Sequence, residues 1–154
     1  MSQAARTHDP AHPILLHVED RDEDARLFRI VLEEVGIQAS VPRAYDGEQA
    51  MLFLHQLGRF RDAPTPSVVF LDLNMPRMNG WEVLGAMAHS GRLRQIPVVM
   101  LTTSWRDQPR ALALGACNYI AKPSNLTEFV SEVQRVFRSV FCAGTETHRQ
   151  FART

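Results

Sequence analysis

The stretch that decides the fold is VVFLDLNMPRMNGWEVL, residues 68–84. Four apolar residues precede Asp72, and a turn-forming segment with a proline and an Asn-Gly pair follows it. Burying an unpaired carboxylate is costly, so Asp72 either meets a partner or stands at a strand end that faces a site. A lone aspartate after a strand is more often a turn or helix cap. The rest of the sequence has to decide between these two roles.

Apolar runs of strand length alternate with helical patterns on both sides of this stretch. Five short runs are typical of buried strands, and the other segments repeat apolar residues at the spacing of one helix face. The strands are predicted at 13–18, 38–44, 68–72, 98–101 and 117–122, and the helices at 22–36, 46–58, 80–91, 108–116 and 125–141. This alternation predicts a doubly wound α/β fold, a five-stranded parallel sheet with five helices covering both faces.

Single residues add local expectations. Pro42 favours an edge position for the second strand. Asn125 and Glu128 have the spacing of a capping box at the start of the fifth helix, with Asn in place of Ser or Thr. His17 lies within the first strand and is expected to be packed and hydrogen-bonded. Cys117 falls in an apolar run and is expected to be a small core residue.

Composition restricts the function classes. Lys and Arg number 17, Asp and Glu number 17, and the apolar fraction of 45% is ordinary for a globular core. A neutral chain has no general attraction to nucleic acid, so we expect no direct DNA binding. No segment has the apolar length to span a bilayer, and residues 1–12 lack an apolar signal core, which favours a cytoplasmic protein without membrane contact. We expect a flexible N-terminal arm at 1–12, one domain at 13–141 and a polar tail at 142–154.

Polar residues occur at four of the predicted strand ends. Glu19 and Asp20 end the first strand, Asp72 the third, Thr102 the fourth and Lys122 the fifth. In doubly wound sheets the carboxyl ends of the strands meet at one edge, where sites lie. Each residue alone has an ordinary explanation, since acids favour helix starts and lysines are usually solvated. Their agreement across four strands favours a site, and Asp72 then belongs to it.

This set of side chains suits phosphoryl chemistry with a metal ion. Three clustered carboxylates repel one another, and a hard divalent cation such as Mg²⁺ or Mn²⁺ relieves that repulsion. A lysine and a threonine hydroxyl both suit a phosphate-like group. A carboxylate is also able to act as the nucleophile in phosphoryl transfer, which gives an aspartyl phosphate.

At this point the chain resembles the receiver domain of response regulators, of the chemotaxis-regulator type. The motifs VEDRDED, FLDLNMPRMNG, VVMLTTS and YIAKP match that family in order and spacing, and the resemblance covers roughly residues 13–141. It implies a flavodoxin-like sheet with strand order 2-1-3-4-5. It also implies a two-component phosphorelay, in which a sensor histidine kinase phosphorylates the chain and a conformational change carries the signal. Such a receiver is not a turnover enzyme.

The resemblance also assigns roles to individual residues. The phosphoacceptor is Asp72, and the metal ligands are Glu19, Asp20, Asp72 and the backbone carbonyl of Asn74. Thr102 and Lys122 contact the phosphoryl group, and Thr102 and Tyr119 form the switch pair. The Lys122–Pro123 bond is expected to be cis.

The finer pattern is similar to stand-alone regulators that pair with phytochrome histidine kinases. LDLNMPRMNGWEVL, the TTS triplet and the loop RFRDAPTPS carry this likeness, which implies a phytochrome-type kinase as partner. One position departs from the family pattern. The residue after the switch threonine is usually small in receivers, and here it is Thr103.

The fifth helix has more apolar residues than one sheet face needs. The first of two neighbouring stripes is Phe129, Val133, Val136 and Val140, and the second is Leu126, Val130, Phe137 and Phe141. The first stripe is expected to cover the sheet and the second to be partly exposed. By resemblance, we expect a homodimer through the face made by helix 4, strand 5 and helix 5.

Two other functions remain open from the residues alone. An aspartate-nucleophile phosphatase of the haloacid-dehalogenase type also places Asp-x-Asp at a strand end, but the second position here is Asn74 and the length leaves no room for a cap domain. A flavodoxin-like binding protein would share the fold, but three clustered acids would repel an anionic cofactor.

Overall fold

The computed structural model describes residues 12–122 and 125–142, with the side chain of residue 142 left out. Residues 1–11 of the predicted arm and 143–154 of the predicted tail lie outside the described residues. The Lys122–Pro123 bond, which the sequence predicts to be cis, also lies outside them.

The sheet has the predicted architecture. Its strands are β1 (Leu15–Val18), β2 (Arg43–Ala44), β3 (Val68–Asp72), β4 (Val98–Thr102) and β5 (Asn118–Ala121). They pair in parallel in the order β2-β1-β3-β4-β5, which confirms the doubly wound, flavodoxin-like fold class. β2 is the edge strand that Pro42 indicated, but it has only two residues. β4 extends one residue beyond its predicted end, to Thr102.

Five helices accompany the five strands, as predicted. They are α1 (Asp22–Val35), α2 (Gly47–Leu54), α3 (Gly80–Ala88), α4 (Gln108–Ala113) and α5 (Leu126–Phe137). α1 ends at Gly36, whose φ of 79° is the left-handed conformation typical of a helix C-terminus. α2 ends earlier than predicted because Gln56 and Gly58 both adopt positive φ, at 56° and 58°. α5 continues into a π-helical turn, Arg138–Cys142.

The full capping box lies at a different helix from the predicted one. At α3, the Asn79 side chain accepts the backbone N–H of Glu82, and the Glu82 side chain accepts the backbone N–H of Asn79. At α5, the structure records one of the two bonds, from the Glu128 N–H to the Asn125 side chain. The Asn-Gly pair after β3 therefore begins a helix as well as forming a turn.

Two apolar cores cover the two faces of the sheet. α1 and α5 pack on one face, where Phe28, Phe70 and Val133 are buried. α2, α3 and α4 pack on the other, where Val69 and Leu84 are buried. This confirms that helices cover the parallel sheet on both sides.

Three expectations about burial need correction or extension. Phe137 was expected in the partly exposed stripe, but it is buried because its ring stacks between Phe70 and Phe141. Cys117 is exposed and is therefore not a core residue; it precedes β5 rather than lying in it.

His17 is buried against the Phe28 ring, at 4.4 Å between centroids. Burial, aided by the charge of Lys122, lowers the pKa of His17 to about 3, so its imidazole is neutral in the folded protein.

Strand alternation decides which face the strand-end residues join. Side chains two residues apart share a face, so Asp72 follows Phe70 on the α1–α5 side. Strand pairing also continues one residue past β1 and β5: the Glu19 N–H donates to the Ala44 carbonyl and the Lys122 N–H to the Thr102 carbonyl. The alternation of side chains therefore extends to Glu19 and Lys122, and both lie on the same side of the sheet as Asp72.

The described part of the chain has no helix that is long and apolar enough to cross a membrane.

The first residue of α3 lies directly on the backbone of the strand end. A Cβ atom added at Gly80 would be 2.2 Å from the Asp72 carbonyl oxygen and 2.8 Å from the Leu73 Cα. These neighbours are backbone atoms and have no side-chain freedom to move away. A Cβ added at Gly85, in the same helix, would meet nothing within 4 Å.

We therefore predict that Gly80→Ala lowers the free energy of unfolding by about 1–3 kcal/mol, the usual cost of overpacking. Gly85→Ala, the matched control, should be neutral or stabilising by up to about 1 kcal/mol, because alanine is the better helix former. Urea unfolding of both variants measures the difference. Equal stabilities for the two variants would contradict the close contact at Gly80.

Candidate functional site

Three carboxylates come together at the carboxyl edge of the sheet. Glu19 and Asp20 follow β1, and Asp72 ends β3. Each offers one oxygen, and the three oxygens lie within 4.8 Å of one another. Glu19 is completely buried, Asp72 is 6% exposed and Asp20 is half-buried. The structure thus brings together the three acids that the sequence predicted at these strand ends.

Two oxygens of this cluster are buried without a partner. Glu19 Oε2 and Asp20 Oδ1 accept no hydrogen bond from the described residues. Buried polar atoms are normally paired, because leaving one unpaired costs about 1–3 kcal/mol. A hard cation would satisfy both oxygens and relieve the mutual repulsion of the acids. The donor set therefore fits a divalent cation that prefers oxygen, such as Mg²⁺ or Mn²⁺.

An arginine that the sequence did not single out holds the backbone of this cluster. The Arg43 Nε donates to the Glu19 carbonyl at 2.9 Å, and its Nη1 donates to Asp22 Oδ1 at 2.7 Å. The guanidinium also stacks over the Tyr45 ring, 4.2 Å from its centroid. Arg43 thereby ties β2 to the turn that presents the acidic pair.

Burial changes the protonation of Glu19. Desolvation, aided by the Asp72 carboxyl, raises the pKa of Glu19 to about 9, and the nearby Lys122 charge opposes this only partly. Burial thus disfavours the charged form of Glu19 when no cation is bound. Any loss of charge at Glu19 reduces the repulsion among the three acids.

Lys122 is the cation of the site. Its Nζ lies 3.2 Å from Asp24 Oδ2, 3.5 Å from Glu19 Oε1 and 4.0 Å from Asp72 Oδ2. Burial alone would lower the pKa of Lys122, but the charges of Asp72, Glu19 and Asp24 outweigh it and raise that pKa above its ordinary value. The side chain is therefore a charged ammonium surrounded by carboxylates.

Asp24 is a fourth acid of the site that sequence reasoning missed. It lies in the first turn of α1, where acids are common for reasons of helix stability alone, so its pattern gave no signal. Partial burial would raise its pKa, but hydrogen bonds with Glu19 and Lys122 outweigh that effect and lower the pKa. Asp24 is therefore an anion paired with Lys122.

Thr102 and Tyr119, the two predicted switch residues, are both hydrogen-bonded to Ser104. Thr102 is 1% exposed, and its hydroxyl accepts the Ser104 N–H at 3.3 Å. Tyr119 is buried, and its hydroxyl donates to the Ser104 carbonyl. Within the described residues, no hydrogen bond joins Thr102 to Glu19, Asp20 or Asp72. The two predicted switch residues are thus linked to each other through Ser104.

The loop after Asp72 is held against the start of α2. The Asn74 N–H donates to Asp72 Oδ1 at 3.4 Å. Arg77 adopts a left-handed φ of 64°, and its Nη1 lies 3.2 Å from Asp46 Oδ2. Asp46 also caps α2, and the Gly47 N–H donates to the Met78 carbonyl. Sequence reasoning missed the Arg77–Asp46 and Gly47–Met78 contacts, because they join residues about thirty positions apart.

Comparisons with known proteins agree with this geometry. The response regulator Rcp1 of Synechocystis sp. is 36% identical over 132 residues, which cover 83% of this chain and 90% of that protein. The structure of its Mn²⁺-bound form superposes with a TM-score of 0.74, covering 82% of this chain and 92% of that one.

Two further similar structures also cover 82% of this chain and 92% of their own. The phosphorylated cyanobacterial phytochrome response regulator RcpA has 33% identity and a TM-score of 0.75. The regulator RPA3017, of red light signaling in R. palustris, has 31% identity and a TM-score of 0.76.

The family comparison matches residues 15–134 to the response regulator receiver domain. These residues contain all five strands and the three clustered acids of the site. Fold, acidic cluster and sequence therefore lead to one conclusion: the chain belongs to the response regulator receiver domain family.

Proposed function

We propose that Asp72 accepts a phosphoryl group from a sensor histidine kinase, and that this chain works as a single-domain response regulator in a phosphorelay. One observation carries the proposal. Asp72 ends the central strand with its carboxylate beside two other acids and 4.0 Å from the Lys122 ammonium. In this arrangement a carboxylate nucleophile has a cation on one side and a donor set for a metal on the other.

Each residue of the site has a separate role in the proposed phosphoryl transfer. A carboxylate oxygen of Asp72 forms the new bond to phosphorus, while the bond to the donor breaks. Glu19, Asp20, Asp72 and the backbone carbonyl of Asn74 would hold Mg²⁺ or Mn²⁺, which neutralises negative charge on the phosphoryl oxygens when bound. Lys122 supplies a positive charge, and the Thr102 hydroxyl donates a hydrogen bond to a phosphoryl oxygen.

The signal would leave the site as a change of shape. The Thr102 hydroxyl accepts the Ser104 N–H and can still donate its own O–H, so a hydrogen bond from Thr102 to the phosphoryl group would move Ser104 together with it. Tyr119 holds the same residue through the Ser104 carbonyl, so the two switch side chains would move together. The chain would act through protein contacts and would not turn over a substrate, apart from losing its own phosphoryl group by hydrolysis.

A phytochrome-type histidine kinase is the partner that the likeness to RcpA supports, because that relative is a phytochrome response regulator. We propose a cytoplasmic encounter, since kinases draw on cytoplasmic ATP. Direct binding to DNA or membrane is no part of this proposal, because the sequence has no net charge.

A homodimer through α4, β5 and α5 completes the proposal. Leu126 is 45% exposed, and Leu112 and Leu114 of the α4 region are 43% and 38% exposed. Exposed apolar side chains on neighbouring elements favour a partner surface, and closed two-fold pairing is the commonest form of assembly.

Replacement of the acceptor carboxylate tests phosphorylation directly. Incubated with acetyl phosphate and Mg²⁺, the wild type should gain the mass of one phosphoryl group, and Asp72→Asn should gain none because an amide is not a nucleophile. Asp62→Asn, on a side chain that is 93% exposed, is the matched control and should behave as wild type. Intact-mass spectrometry measures the result, and a phosphorylated Asp72→Asn protein would refute the assignment.

Metal binding should depend on the half-buried acid of the pair. Asp20→Asn should weaken Mg²⁺ binding at least about tenfold, because it removes one charged ligand and leaves an uncharged amide oxygen or nitrogen at Asp20 Oδ1. Glu23→Gln, an exposed acid in the first turn of α1, controls for the loss of charge. Isothermal titration calorimetry measures both, and an unchanged affinity in Asp20→Asn would contradict the metal assignment.

The dimer interface is tested by placing charge on the exposed apolar side chains. Leu126→Glu together with Val130→Glu should convert the dimer to monomer, because the two carboxylates added to each protomer would be buried and unpaired at a symmetric contact. Leu27→Glu together with Ile30→Glu on α1, where both side chains are about equally exposed, is the matched control. Light scattering at micromolar concentration gives the mass. A monomeric wild type would count against this interface. A Leu126→Glu/Val130→Glu variant that remains dimeric would also count against it.

A further inference from the structure

The ammonium of Lys122 lies closer to helix α1 than to the proposed phosphoacceptor. Its Nζ is 3.2 Å from Asp24, within hydrogen-bond distance, but 4.0 Å from Asp72. The contact spans 98 residues of sequence and joins the end of β5 to the first turn of α1. Of the three acids around the lysine, the nearest is thus a carboxylate outside the three-acid cluster, because Glu19 Oε1 is 3.5 Å from Nζ and Asp72 Oδ2 is 4.0 Å from it.

Asp24 is the partner of Lys122 that lies outside the three-acid cluster. The oxygens that could share one cation come from Glu19, Asp20 and Asp72, and Asp24 is not among them. If those three are occupied by a metal, Asp24 is the carboxylate that remains to pair with the lysine. Both side chains are partly shielded, with exposures of 19% for Lys122 and 31% for Asp24, so solvent weakens this ion pair less than one at the open surface.

We propose that Asp24 is a positioning residue that holds Lys122 on helix α1 while Asp72 is unmodified. When a phosphoryl group arrives on Asp72, the lysine gives up part of its bond to Asp24 in order to reach the new anion. Asp24 thereby sets how readily the site accepts and keeps a phosphoryl group. This inference rests on the proposed function, because it takes Asp72 as the acceptor.

A purely structural role for Asp24 makes different predictions. An acid in the first turn of a helix stabilises that helix through its dipole, and Glu23 in the same turn does so equally. Glu23 is exposed, and no contact between it and Lys122 is recorded. Replacing either acid removes the same charge from the same turn, but only Asp24 holds the lysine.

The test compares Asp24→Asn with Glu23→Gln in the full chain at saturating Mg²⁺. The probe is beryllium trifluoride, which adds to a carboxylate oxygen as a phosphoryl analogue, with its dissociation constant measured by calorimetry. Asp24→Asn should bind the analogue about two- to fivefold more tightly than wild type, as expected for release of one partly exposed ion pair. Glu23→Gln should bind as wild type does.

A second measurement asks whether the effect passes through the lysine. Rates of phosphorylation by acetyl phosphate are followed by intact mass for Asp24→Asn, Lys122→Ala and the double variant. Asp24→Asn should accelerate phosphorylation when Lys122 is present and have no effect when it is alanine, because the residue then has no ammonium to hold.

Several results would overturn the inference. Weaker or unchanged binding in Asp24→Asn, an equal gain in Glu23→Gln, or an acceleration that persists without Lys122 would each show that Asp24 does not restrain the lysine. A wild type that neither gains a phosphoryl mass nor binds the analogue would instead overturn the proposed function, and the inference with it.

Discussion

Carboxylates at close range repel, and Glu19, Asp20 and Asp72 lie with ligand oxygens within 4.8 Å of one another because the ends of two buried strands hold them there. β1 and β3 are central in the sheet, buried on both faces and paired with each other. Their packing supplies the stability that offsets this repulsion. The site relieves part of this repulsion in two ways: burial and the Asp72 carboxyl favour the neutral form of Glu19, and the Lys122 ammonium lies among the acids, whose charges raise its pKa. A cation would do the same work with stronger charge.

The sequence predicted the strand-end residues because each follows an apolar run, and a parallel sheet brings such ends to one edge. Glu19, Asp72, Thr102 and Lys122 were found in this way. Contacts between distant segments gave no periodic signal and were missed. Asp24 has the composition of an ordinary helix start, and the pairing of Arg77 with Asp46 depends on a loop conformation that no spacing reveals.

Sequence reasoning also could not predict how deeply individual side chains on the helix surfaces are buried. Periodicity predicted that α5 has two apolar stripes, but it does not say how deeply each is covered. The π-helical turn after α5 brings Phe141 to 5.0 Å from the Phe137 ring, which buries Phe137 from its outer side. Cys117 was misjudged for a related reason. It precedes the first residue of β5, and its side chain is exposed although its N–H donates to the Val98 carbonyl of β4.

The two sides of the sheet hold different residues, charged side chains on one side and the Tyr119 ring on the other. Asp72 joins the side covered by α1 and α5, whereas Tyr119 belongs to the core beneath α2, α3 and α4. The backbone of Lys122 connects them, because its N–H donates to the Thr102 carbonyl while its ammonium meets Asp24 and Glu19. The backbone that carries the ammonium of Lys122 is thus bonded to the end of β4, next to Ser104. Because Tyr119 is hydrogen-bonded to Ser104, a continuous series of hydrogen bonds runs from the Lys122 backbone through Thr102 and Ser104 to an aromatic side chain on the other side of the sheet.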